Sequence, residues 1–123
     1  MSYKYYDAAS FRGKTISAIE KVADDEIRFS LDDGTKYRMY HSQDCCESVS
    51  IHRIEGDLAS LVGAVLFTSE EESVRDEIPA WGDDTAYSGE SYTWTRYRFN
   101  LVDIIWHGSS NGYYSESVQI EEI

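Results

Sequence analysis

From Glu26 to Tyr40 apolar residues fall on every second position. Ile27, Phe29 and Leu31 come first and Tyr37 and Met39 follow, with Asp32-Asp33-Gly34 between the two runs. A period of two marks a strand with one buried face, and two such runs around a few turn-forming residues make an antiparallel hairpin. Two registers compete. A two-residue loop at Asp33-Gly34 sets Phe29 against Arg38 and Ile27 against Tyr40. A three-residue loop, Asp32-Asp33-Gly34, sets Phe29 against Tyr37 and Ile27 against Met39, apolar against apolar on one face. A slip of one residue turns every side chain over. The second register is therefore predicted, with a type I turn closed by a left-handed Gly34 in a G1 bulge.

The same alternation recurs along the chain. Thr15–Val22, Glu47–Ile54 (Val49 and Ile51 inward), Ala64–Thr68, Leu101–Trp106 (Val102, Ile104 and Trp106 on one face) and Ser117–Glu122 (Val118 and Ile120 inward) read as strands. Glu90–Asn100 is a strand whose aromatic residues shift from even to odd positions after Trp94, which predicts either a bulge or burial on both faces. Residues 1–13 read as a polar lead-in. Asp57–Val62 reads as one short helix with Asp57 as N-cap and Gly63 as its stop. Glu70–Gly89 is too acidic and irregular for an element and reads as a mobile loop. The expected fold is α+β and mostly β: a single antiparallel, curved sheet or small open barrel with one short helix, in one domain over 1–123. Glu47-Ser48-Val49-Ser50-Ile51 echoes Glu116-Ser117-Val118-Gln119-Ile120, which reads as two strands in similar places of one sheet rather than a duplication.

Charge narrows the partners. Lys and Arg number 11 against 23 Asp and Glu, a formal charge of −12. Such a field repels nucleic acid and anionic membranes and attracts basic protein surfaces. It is concentrated at Glu70, Glu71, Glu72, Asp76, Glu77, Asp83 and Asp84, where Arg75 alone opposes the acids. No apolar run reaches the roughly 20 residues of a membrane span, and the first residues lack the apolar core of a signal peptide. Cys45 and Cys46 are adjacent, a spacing that ordinary disulfide geometry disfavours. A reducing, cytoplasmic compartment is therefore expected.

Chemistry-bearing motifs are sparse. His41, Cys45 and Cys46 form the densest group of metal-ligand types, but neighbouring side chains on a strand point to opposite faces and there is no second cysteine pair. The expected role is structural, with one cysteine in the core and the other at a strand edge. There is no nucleophile elbow, phosphate loop or dinucleotide fingerprint, and no basic stripe for nucleic acid. No cofactor and no catalytic residue is assigned. The chain holds 10 tyrosines, and tyrosine supplies contact area at low entropic cost. Tyr92, Trp94, Asn111, Tyr113 and Tyr114 therefore join the acidic residues as candidate binding positions.

Four blocks carry a resemblance. They are Tyr37-Arg38-Met39-Tyr40-His41-Ser42-Gln43-Asp44-Cys45-Cys46-Glu47-Ser48-Val49, Gly56-Asp57-Leu58 with Leu61-x-Gly63, Glu90-Ser91-Tyr92-Thr93-Trp94-Thr95, and Ser110-Asn111-Gly112-Tyr113-Tyr114-Ser115-Glu116-Ser117-Val118. In that order, from about Gly13 to the end, the chain resembles a family of small uncharacterised bacteriophage and prophage proteins, a domain of unknown function. It departs from the family at His52-Arg53. The resemblance implies a viral protein acting in the host bacterial cytoplasm and carries no catalytic residues. The expected function is an acidic accessory protein that binds stoichiometrically to a host protein with a basic surface, inhibiting a defence system as an anti-CRISPR or nucleic-acid mimic would. A homodimer is left open. The alternatives are a module that sequesters a small molecule or nucleotide and a Cys/His-dependent metal site or enzyme.

Overall fold

A computed structural model describes residues 5–83, 91–112 and 114–123. Eight strands follow in order: β1 (Ile16–Ala23), β2 (Glu26–Leu31), β3 (Lys36–Tyr40), β4 (Ser48–Glu55), β5 (Ser69–Arg75), β6 (Ser91–Phe99), β7 (Val102–Ser110) and β8 (Gln119–Glu122). They form two antiparallel four-stranded sheets, β1-β2-β3-β8 and β4-β7-β6-β5. The expectation of one sheet is thus corrected to two. The reason lies in the connections: after each meander of three strands the chain crosses over, so β4 pairs with β7 and β8 pairs with β3.

The hairpin takes the register that its pattern demands. Phe29 lies opposite Tyr37 and Ile27 opposite Met39. The Gly34 amide donates to Leu31 O at 3.0 Å and Gly34 has φ 89°. Asp33 Oδ1 accepts from the Thr35 amide and hydroxyl at 2.9 and 2.6 Å, tying the turn. The inner faces meet in one core. Phe29 touches the rings of Phe11, Tyr37 and Phe99 at centroid distances of 5.2, 5.3 and 5.9 Å, and Ile27, Met39, Ile104 and Trp106 are fully buried beside them. β6 pairs on both sides without a register shift. Its change of aromatic parity is therefore burial on both faces, Tyr97 and Phe99 inward and Trp94 outward.

Other expectations change. Residues 5–11 are not a loose lead-in, for Ala8 and Phe11 are core residues and the Tyr6 amide bonds Ile120 O at 2.9 Å. The helix expected near Asp57–Val62 is a single 3-10 turn, Leu58–Leu61, capped as predicted by the Asp57 side chain. Ala64–Thr68 is not a named strand but makes an isolated bridge from Val65 to Thr15. The acidic stretch begins as strand β5 rather than as loop. Glu70 and Glu72 lie opposite Arg98 and Arg96, and of its residues only Ser69 is buried, so charge there hid a strand.

The echo is part of a longer repeat. Asp7-Ala8-Ala9-Ser10-Phe11-Arg12-Gly13 returns fifty residues on as Asp57-Leu58-Ala59-Ser60-Leu61-Val62-Gly63. Both runs form one 3-10 turn, Ala8–Phe11 and Leu58–Leu61. In both the serine hydroxyl donates back to the aspartate carbonyl at 2.6 Å. The two runs then bond each other reciprocally. The Gly13 amide donates to Leu66 O (2.8 Å) and the Gly63 amide to Ile16 O (2.7 Å), while the Ile16 amide donates to Ala64 O (3.1 Å) and the Leu66 amide to Lys14 O (2.8 Å). Reciprocal pairing of this kind is what a two-fold axis produces. The chain is two copies of a turn-plus-four-strand pattern, and the echoed segments occupy equivalent places in different sheets. The expectation that they occupy similar places in one sheet is thus corrected to two sheets.

Gly13 and Gly63 have φ of 86° and 82°, and an added Cβ would meet nothing within 4 Å at either. The cost of a side chain there is backbone strain alone, about 1–2 kcal/mol. Gly13→Ala and Gly63→Ala should each lower the unfolding free energy in urea by about that amount and by similar degrees. Phe29→Ala should cost about 3–5 kcal/mol in the same titration. A loss under about 1 kcal/mol would show that Phe29 does not hold the core together.

Candidate functional site

Two buried carboxylates stand where the chain crosses between sheets. Glu47 precedes β4 and Glu116 precedes β8, at the same place in the echoed motif, and they are 4% and 5% exposed. Each accepts a hydrogen bond from the side chain six residues earlier. His41 Nε2 lies 3.1 Å from Glu47 Oε2, and Ser110 Oγ donates to Glu116 Oε2 at 2.5 Å. His41 also links the halves, because its Nδ1 sits 2.6 Å from Ser117 O. Gly108 lies between them, where a Cβ would come within 2.8 Å of Val49 and 3.1 Å of Glu116.

Glu47 is closed in. Its oxygens also accept from the Cys45 amide (2.8 Å), the Asp44 amide (3.2 Å) and Gln43 Nε2 (3.2 Å). Burial works to raise its pKa, but these bonds, led by the Cys45 amide, prevail and lower it to about 2. The carboxylate is the post around which Gln43–Cys46 turns. That turn leaves Cys45 and Cys46 exposed and joined to each other by a disulfide. Both being exposed corrects the expectation that one of them is a core residue. His41 faces inward to Glu47 while the cysteines face solvent, so the three candidates do not converge. Among the described residues no group of three His, Cys, Asp or Glu is placed to hold a metal ion.

Glu116 instead floors an open cleft of about 440 Å³. Thr93 Oγ1 donates to Glu116 Oε1 at 2.8 Å, and Ser91 Oγ lies 3.5 Å from the same atom. Arg75, at the mouth, donates to Ser91 Oγ from Nε (3.2 Å) and Nη2 (3.0 Å). Ser73, Tyr114, Ser115 and Ser117 complete the walls. Among the described residues the cleft lies in the seam between β5 and the approach to β8. A second shallow groove, of about 420 Å³, lies by Glu20, Arg28, Ser30 and Lys36, which bring no cluster of buried ionisable groups.

The sequence candidates fall in three places. Glu70, Glu71 and Glu72 are exposed on the edge strand β5, and Asp76 and Glu77 are exposed just beyond it. Glu72 is paired with Arg96 at 3.0 Å, Glu71 accepts from the Ala8 amide at 3.3 Å, and Asp76, at φ 59°, accepts from the Tyr92 amide at 3.2 Å. Tyr92 and Trp94 lie on the outer face of the second sheet. Trp94 is 1% exposed, with the rings of His52 and His107 edge-on at 5.0 and 4.7 Å. Asp83 is held 3.2 Å from His52 Nε2, and Arg53 Nη2 donates to Trp81 O, so residues 81–83 lie over this face. Burial first, and then His52, lower the pKa of His107. Tyr114 lines the cleft and Asn111 is exposed at its rim. Asp84 and Tyr113 lie outside the described residues. The pattern missed Ser73, Arg75, Thr93 and Glu116, and the one signal that could have found Glu116 was the echo with Glu47.

A family model described as a domain of unknown function, DUF7448, matches residues 10–120. No curated protein and no solved structure matches. Among the described residues no helix is long and apolar enough to cross a membrane.

The Glu47 pKa gives a pH test. A carboxyl at about 2 when folded against 4.5 unperturbed contributes stability that is present above the higher value and lost as pH falls through the lower one. Wild type should therefore lose more stability than Glu47→Gln between pH 4.5 and about 2, measured by urea unfolding at stepped pH. Parallel curves would mean that the Glu47 network does not operate.

Proposed function

We propose that this chain, which belongs to the DUF7448 family of unknown function, is a binding protein that acts by stoichiometric contact with a partner of basic surface and not by catalysis. The observation that carries this reading is the placement of acidic residues. Glu70, Glu71, Glu72, Asp76 and Glu77 stand exposed along one edge strand and its continuation, on a chain of net charge −12. An edge strand lined with charge resists pairing with copies of itself, and the same charge steers a cationic partner towards it. The resemblance to phage proteins extends the reading to an accessory protein that occupies a host defence factor in the bacterial cytoplasm. The buried carboxylates fit a role in binding better than in turnover, since Glu47 is enclosed by donors. A second reading, capture of a small polar ligand, is favoured by the cleft above Glu116 with its hydroxyls and guanidinium.

Glu70 and Glu77 test the first reading, because neither anchors the fold through a side-chain hydrogen bond or ion pair described above. Immobilised wild-type protein should retain a partner from host lysate at about 0.1 M salt and release it near 1 M, where the screening length falls from about 10 to about 3 Å. The double variant Glu70→Lys, Glu77→Lys should fail to retain it at the lower salt. Retention indifferent to both changes would remove the electrostatic reading. Stabilisation of the protein by a neutral small ligand in a thermal-shift screen would favour the second.

A further inference from the structure

β5 is the edge strand of its sheet, with β6 as its one strand neighbour among the described residues. Its pairing with β6 places Ser69 opposite Phe99 and Arg75 opposite Thr93, and the flanking bonds run from the Asp76 amide to Tyr92 O and from the Asn100 amide to Thr68 O. Hydrogen-bonded pairs alternate in an antiparallel ladder. The even-numbered residues Glu70, Glu72 and Val74 therefore bond β6, and the odd-numbered Ser69, Glu71, Ser73 and Arg75 turn their amides and carbonyls away from it. The protein's own N-terminal segment fills one half of the seam on that side. Tyr6 bonds Ile120 O, Ser69 Oγ donates to Ala8 O at 2.5 Å, and the Ala8 amide donates to Glu71.

The other half, along Ser73 and Arg75, receives no backbone bond from residues 115–117 among the described residues. The two-fold repeat shows what closure looks like. In the counterpart seam between β1 and β4, the tight β1–β2 turn reaches across and Asp24 O accepts from the Ile51 amide at 2.7 Å. In the second half the β5–β6 connection is longer, and its residues 81–83 lie over the outer face instead. In the place of the closing turn, among the described residues, lies the cleft of about 440 Å³.

We propose that this half-seam is the docking groove for an extended, lysine- or arginine-bearing segment of a partner protein, which adds as a strand beside Ser73 and Arg75. Backbone pairing supplies affinity in strand addition, and side chains at alternate positions supply selectivity. Here alternate side chains of the incoming strand face the cleft floor at Glu116 or the exposed carboxylates of Asp76 and Glu77. Among the described residues Arg75 is the one cation lining the cleft, engaged by Ser91 Oγ and lying 3.8 Å from Asp76, so carboxylates are in excess there. This rests on the proposed binding role and specifies its partner's conformation.

The probe is a heptapeptide of alternating valine and lysine added to the full chain, with its valine-glutamate counterpart as control. Amide hydrogen exchange should slow at least about tenfold at Ser73 and Arg75, with Glu72 and Val74 unchanged, and only for the lysine peptide. Ser73→Pro deletes an outward-facing amide, a change that edge strands tolerate. It should weaken peptide binding at least about tenfold while keeping the native spectrum. If that variant fails to fold, the wild-type exchange pattern decides alone. Absent protection at Ser73 and Arg75, equal protection by the glutamate peptide, or a folded Ser73→Pro that binds normally would overturn strand addition. The Glu70→Lys, Glu77→Lys variant separates the two readings. Partner capture lost there but kept in Ser73→Pro overturns the groove and leaves the acidic-surface reading standing, and capture unchanged in both overturns both.

Discussion

Four backbone hydrogen bonds between residues 13–16 and 63–66 hold this molecule together as one unit. They join the starts of the two repeated halves, and everything else is arranged around them. Each half alone supplies three strands in a meander with one apolar face, which needs a second layer to cover it. The reciprocal bonds set the halves face to face, and the crossings of β4 and β8 then tie each half into the sheet of the other. Phe11 and Leu61, Ile16 and Leu66, all 2% exposed or less, pack at equivalent points around this join. The core is therefore shared between the halves.

Interchange of strands creates a polar problem, because the crossing segments must pass the ends of a buried core. The repeat solves it twice with a glutamate. A buried carboxylate is costly unless donors surround it. Glu47 collects two amides, an amide side chain and an imidazole, and Glu116 collects three hydroxyls. The same device has two results. Around Glu47 the donors are mostly local, from Gln43, Asp44 and Cys45 in the turn before it, whereas Glu116 takes its donors from the paired strands β6 and β7 and lines a cleft. One seam is closed by the β1–β2 turn, and the other, among the described residues, holds a cleft beside an acidic edge.

Much of the fold was legible where one face of a strand is buried. The hairpin register, the Gly34 turn, the inward set of β7 and β8 and the Asp57 cap all follow from local pattern. Legibility failed where a strand lacks that asymmetry. β5 reads Ser-Glu-Glu-Glu-Ser-Val-Arg, and Ser69, Glu71 and Ser73 bond the 3-10 turn and Thr95 with their side chains, with only Ser69 buried. Nothing in its hydropathy marks it as a strand. Residues 7–13 failed for the opposite reason. Their two buried side chains, Ala8 and Phe11, are too few to announce a period, and only comparison with residues 57–63 gives them meaning. Of the residues read as contact positions, Glu70, Glu71, Glu72, Asp76 and Glu77 are exposed, as their charge implies, and Trp94 is covered.

The amino-acid order alone determined that this chain alternates into antiparallel strands, how the β2–β3 hairpin registers and how negative the surface must be, since those depend on neighbours in sequence and on composition. It also held the repeat, in the spacing of two Asp-x-Ala-Ser-x-x-Gly runs. Only the tertiary structure decided that strands exchange between sheets, that Glu116 becomes the floor of an opening, and that half of one flank of β5 has no backbone partner among the described residues. Those outcomes depend on which distant segments meet across the two-fold axis, and a backbone amide's direction is set by its ladder, not by the side chain that follows it.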